Sequence, residues 1–209
     1  MARRRRNAGS YRRQEAIREP YDRVLIVCEG EKTEPHYFEG LRVHYLLSSV
    51  NITITPAAGS DPVSIVQFAL RQIGEFDRGY CVFDRDEHRN FDSALEMLRT
   101  SQPGQSGKLI AIPSFPCFEV WPLLHFRYST AEIRRTGQRS PGAMAVHELT
   151  NYIPTYTKGH RGIFNALLPH LPTGLRHAAT LARDYLQTGA QNPGTKLHLL
   201  VQYLMRLRN

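Results

Sequence analysis

The chain has 209 residues, enough for one domain with a substantial core and no need of a second. Its 27 Lys and Arg against 19 Asp and Glu give +8, a balance that favours an anionic partner such as nucleic acid. The longest apolar runs fall far short of a membrane span, and Cys28, Cys81 and Cys117 sit in apolar surroundings with no CxxC pair. Together with the lack of HExxH or Cys/His zinc spacing, this argues against membrane, disulfide-framework and structural-zinc classes. A soluble, cytoplasmic protein with reduced core cysteines is expected.

Residues 1–22 read as a basic arm. Up to position 23 there are eight arginines against Glu15, Glu19 and Asp22, a local +5 that leaves the rest of the chain only +3. The arm has no apolar stretch or small-residue cleavage site of the secretory kind. It is either a strap for phosphates or a solvated terminus. The run Val24 to Cys28 then reads as a buried strand leading directly into Glu29-Gly30-Glu31-Lys32-Thr33-Glu34-Pro35. A helix opens near Thr33, with Pro35 in its first turn, Glu34 favourable at the positive end of its dipole, and Tyr37, Phe38, Leu41 and Tyr45 at helical spacing. Residues 51–55 alternate as a strand, and Ser60-Asp61-Pro62 caps a helix to about Ile73.

A strand at 79–84 follows, delivering Asp84-Arg85-Asp86-Glu87-His88 at its end. Residues 90–100 read as a helix, 101–107 as a turn and 109–113 as a fourth strand. This alternation implies an α/β fold with a mostly parallel sheet and helices on both faces. From residue 116 the pattern is helical, at 116–126, 143–151, 160–169, 173–187 and 195–207, with no strand of similar strength. The expected organisation is therefore an arm over 1–22, an α/β core over 23–126 and a helical cap of the same domain over 127–209.

Carboxylates just beyond strand ends sit where open α/β sheets bind ligands. If the first and third strands are neighbours, Glu29, Asp84 and Asp86 converge. Three crowded carboxylates repel one another unless a cation lies between them, and oxygen ligands favour a hard ion, Mg²⁺ or Mn²⁺. These three are the candidate metal ligands, with Glu29 either a ligand or a general base. Taken alone, Glu29 is equally a loop carboxylate capping the next helix. Glu119 stands on an apolar background between Phe118 and Val120, so it either reaches solvent or joins the site. Lys32, Arg85, His88 and Lys158 are candidate phosphate contacts. For Lys32 and Arg85 the competing reading is a simple ion pair with Glu31, Glu34 or Glu87, and for His88 a plain hydrogen bond. Lys158, His160 and Arg161 form a basic cluster before a helix, suited to an anion or merely solvated. Gly30 to Thr33 has a Glu inside what would be a P-loop and lacks the upstream Gly, which excludes that motif. Tyr37, Phe38 and Trp121 are expected in the core.

Several separated motifs, in order, resemble the RloB-like family: Glu29 through Phe38, Asp84 through His88, Pro116 through Trp121, Leu123 through Phe126, Tyr156-Thr157-Lys158 and Asn192 through Lys196. The chain departs from that family's pattern at Phe115, where Asn is usual, and at Gly194, where Ser is common. The resemblance implies a Toprim-like fold, in which Glu29 fills the acidic position after the first strand and Asp84 and Asp86 the later Asp-x-Asp pair. It further implies a metal-dependent nuclease acting in phage defence, with an ATPase as a candidate partner protein. Two other readings stand beside it: a non-catalytic nucleic-acid- or partner-binding subunit of a defence complex, and nucleotidyl or phosphoryl transfer on a small nucleotide.

Overall fold

The computed structural model describes residues 22–49, 51–57, 59, 61–85 and 88–207. The basic arm over residues 1–21 and the Asp86 position lie outside the described residues. Strand β1 (Val24–Cys28) is buried along its whole length, as its continuous apolar sequence requires for a central strand. It leads into helix α1 (Thr33–His44), which buries Tyr37, Phe38 and Leu41. Strand β2 (Ile52–Pro56) and helix α2 (Pro62–Gln72) follow. Asp61 caps α2, its Oδ1 accepting from the backbone N–H groups of Val63 and Ser64 at 3.1 and 3.2 Å.

Strand β3 (Arg78–Asp84) and helix α3 (Phe91–Thr100) come next. The segment read as a turn contains one short helix, α4 (Gln102–Gln105), because Ser101 accepts from the Gly104 N–H and Pro103 suits a first turn. Strand β4 (Leu109–Phe115) runs two residues past the expected end. Helix α5 (Val120–Leu124) is much shorter than the expected 116–126. The residues before it close i to i−3 hydrogen bonds, Val120 to Cys117 and Trp121 to Phe118, rather than α-helical ones. Helices α6 (Pro141–Leu149), α7 (Ile163–Leu167) and α8 (Leu171–Thr188) follow. Strand β5 (Gly194–Thr195) and helix α9 (Leu197–Arg206) end the described chain.

The strands form one sheet in the order β2-β1-β3-β4-β5, parallel except for β5, which pairs antiparallel with β4. Two residues carry no periodicity, so nothing local marks β5 in the sequence. Its backbone pairs with Ser114 and Phe115, and Ser114 Oγ and Thr195 Oγ1 share a buried hydrogen bond of 2.9 Å beside that pairing. Alternating strand residues divide the core. Val24, Ile26, Cys28, Tyr80 and Val82 face α1 and the C-terminal helices, whereas Leu25, Val27, Cys81 and Phe83 face α2 and α3. Tyr37, with ring contacts to Phe38, Phe118, Trp121 and Phe164, joins α1 to the helices after β4. All three cysteines are free and buried. No helix among the described residues is long and apolar enough to cross a membrane.

The chain leaves β1 toward β2 on one side and returns to β3 on the other. The gap between the carboxyl ends of β1 and β3 is thus the topological switch point of the sheet. Asp61 braces one wall of that gap, since besides capping α2 it accepts a hydrogen bond from Asn90, just before α3. Replacing it, Asp61→Ala, is expected to lower unfolding free energy by about 1–2 kcal/mol in urea titrations, whereas Asp61→Asn, which keeps a capping oxygen, should lose only a small part of that.

Candidate active site

Parallel pairing sets Cys28 opposite Val82, so Glu29, the first residue past β1, comes close to Asp84, the last residue of β3. Glu29 Oε2 accepts the Asp84 backbone N–H at 2.7 Å, and its Oε1 lies 3.0 Å from His88 Nε2. The turn after Glu29 passes through Gly30, whose missing Cβ leaves room for the end of the Glu34 side chain. Glu34 is only 6% exposed, at the head of α1. From the other side of the sheet switch comes Glu119, 2% exposed, whose Oε1 accepts from Tyr156 Oη at 3.1 Å. Its second oxygen, Oε2, is buried with no hydrogen-bond partner among the described residues.

These groups line a cavity of about 720 Å³ together with Lys32, Thr33, Phe118, Lys158 and Gly159. Of the residues singled out in the sequence, the structure brings Glu29, Asp84, Glu119, Lys32 and Lys158 to this cavity. Arg85 and His88 are not on its wall. The Arg85 guanidinium donates to the His88 carbonyl at 2.9 Å and stacks on Phe91, 4.9 Å from the ring centroid, while His88 stands behind Glu29 as its hydrogen-bond partner. Phe115, where the family pattern has Asn, packs its ring edge-on against Phe91, 5.5 Å between centroids.

Glu34 is the acid that the sequence reading left as a dipole partner for its helix. The missed signal is its place five residues after Glu29 across a glycine, which returns the side chain to the same rim.

The loop carrying Lys158 is pinned to the head of α1. Gly159 N–H donates to Thr33 Oγ1 at 2.8 Å, and the Gly159 carbonyl faces His36 Nδ1 at 3.0 Å. Gly159 has φ +86°, and any Cβ there would press on the Lys32 side chain at 3.2 Å. Lys158 Nζ consequently stands 3.9 Å from Glu119 Oε1 while its side chain stays 64% exposed at the mouth.

The electrostatics follow from crowding. Burial, then Glu34, Glu29 and Glu119, push the Asp84 carboxyl well above the usual range. Burial foremost, and then Glu119 and Glu29, raise Glu34 to about 7. Glu119 in turn raises Lys158, holding it protonated. Among the described residues, no three Asp, Glu, His or Cys side chains are placed to hold one metal ion jointly.

The raised Glu34 fixes the sign of a pH effect. Between about 4.5 and 7 the native state holds a proton that the unfolded chain has released, so stability falls as pH rises through that window. In chelator the melting temperature is expected to drop between pH 5 and pH 8 by about 5–10 °C, from roughly 3 kcal/mol of Glu34 linkage. The drop should shrink in Glu34→Gln.

A family model described as RloB-like protein matches residues 24–204. No curated protein and no solved structure matches the chain. The match spans every strand and helix that builds the cavity, from the start of β1 to the last turns of α9, and the chain belongs to the RloB-like family.

Proposed function

We propose that the cavity hydrolyses a phosphodiester in DNA or RNA with the help of Mg²⁺ or Mn²⁺, in a Toprim-like arrangement. The observation that carries this reading is Glu119 Oε2, a carboxylate oxygen buried without a partner in a cavity whose other acids are Glu29, Glu34 and Asp84. An unpaired buried anion is costly, and oxygen-only donors match a hard divalent cation in kind. In number they need help from a further residue, which the sequence offers as Asp86, two positions past Asp84. The residues that would hold the ion are Glu29, Asp84 and Asp86, with Glu119 and Glu34 facing the same space.

A divalent cation bound there supplies charge neutralisation and Lewis acidity toward a phosphoryl oxygen. The protein's own groups divide the remaining work. Lys158 and Lys32 offer positive charge to the incoming phosphate at the mouth of the cavity. Tyr156 orients Glu119 through its hydroxyl. His88 and the Asp84 N–H fix both oxygens of Glu29, leaving its carboxylate rigid beside Asp84. The resemblance to RloB-like proteins supports placing this activity in phage defence, with an ATPase as partner protein.

The test is cleavage of single- and double-stranded DNA and RNA with Mg²⁺ or Mn²⁺. Wild-type cleavage should fall at least 100-fold in Asp84→Ala/Asp86→Ala and in Glu119→Gln. Hydrolysis confined to free nucleotides would move the reading to small-nucleotide chemistry. Nucleic-acid binding that survives these changes, without any cleavage, would favour a non-catalytic subunit.

A further inference from the structure

Beyond the cavity, on the outer side of the same pinned loop, lies an open groove of about 410 Å³ between α1 and the segment leading into α7. His36, Glu39, Val43 and His44 line it from α1, and Arg161 and Asn165 from the other bank. Arg161 and Asn165 are exposed, and neither side chain has a partner among the described residues. The acid on the groove, Glu39, is already neutralised by Arg42 at 2.7 Å. Val43, 64% exposed, gives the floor an apolar stretch. Gly159, on the cavity wall, is bonded through its carbonyl to His36 of the groove and through its N–H to Thr33 of the cavity.

Resting on the hydrolytic reading above, we propose that this groove is the track along which one strand of a polynucleotide reaches the cavity. Arg161 takes a backbone phosphate, Asn165 and His44 offer further hydrogen bonds, and Val43 lies under a sugar or base. Lys32 and Lys158 stand on the cavity wall and Arg161 on the bank of the groove, with Glu31 exposed on the cavity side. From Lys32 to His44 the helix covers roughly 18 Å at 1.5 Å per residue, room for several nucleotides of an extended strand. A free nucleotide would fill the cavity and have no use for the groove, so the groove specifies a polymeric substrate. DNA and RNA share the phosphate chemistry on which the track relies.

Binding of fluorescent single-stranded DNA and RNA oligonucleotides, read by anisotropy in chelator so that no cleavage occurs, tests the track apart from the reaction. Arg161→Ala should weaken binding about 5–10-fold and lower the slope of log affinity against log salt by about 1, and Arg161→Glu should weaken it further. Arg183→Ala, an exposed change on α8, should bind as wild type, and unchanged circular dichroism and melting will show each variant folded. The DNA and RNA arms identify which polymer uses the track. Arg161→Glu binding both oligonucleotides as tightly as wild type would overturn the proposal, as would wild type binding neither. Loss of binding in Arg161→Glu, with no cleavage by wild type, would leave the track standing and remove the hydrolytic reading.

Discussion

Parallel pairing of β1 with β3 creates the situation to which everything else around the cavity responds. Because Cys28 lies opposite Val82, Glu29 and Asp84 emerge together at the one place in the sheet where the chain turns both ways. The Glu29 carboxylate then spans the gap by accepting the Asp84 N–H. That single bond ties the residue after β1 to the last residue of β3 as a fixed pair, and it places negative charge where burial leaves little water to screen it.

Two further acids enlarge the problem instead of relieving it. Glu34 is buried at the head of α1 where Gly30 leaves room for its carboxylate, and Glu119 is held on the cavity wall by Tyr156. Lys158 is the protein's own partial answer, kept in place by a loop whose glycine accepts a left-handed backbone so that it can lie flat on Lys32. One ammonium at 3.9 Å and largely exposed does not balance four carboxylates. The imbalance appears as raised pKa values at Asp84 and Glu34, which is how buried acids without enough counter-charge behave. A site built at this cost to folding is suited to a positively charged visitor.

Much of this was legible in the sequence because it depended on local pattern. The apolar runs of β1 and β3 and the acids at their ends fixed where Glu29 and Asp84 would stand, and the cap and proline before α2 marked its start within one residue. What could not be read required tertiary detail. Glu34 looks like an ordinary first-turn helix acid until the glycine turn shows which way it points. Arg85 looks like a phosphate ligand until Phe91 offers its guanidinium a flat ring. Strand β5 has only two residues and pairs with Ser114 and Phe115 some 80 residues earlier, with the Ser114–Thr195 hydroxyl bond beside it, a pairing no local period encodes. The short α5 likewise depends on tight turns between Cys117 and Trp121, where composition alone suggests a longer helix.

Hydrolysis at this cavity requires that its acids take a divalent cation. The most direct measurement is the melting temperature at pH 8 in chelator and across a titration with Mg²⁺ or Mn²⁺, for wild type and for Glu119→Gln. Saturable stabilisation of the wild type by several degrees, weakened in the variant, is the predicted result. A wild-type melting temperature indifferent to either ion up to millimolar concentration would contradict it, and would mean that the carboxylates are held apart by the protein alone.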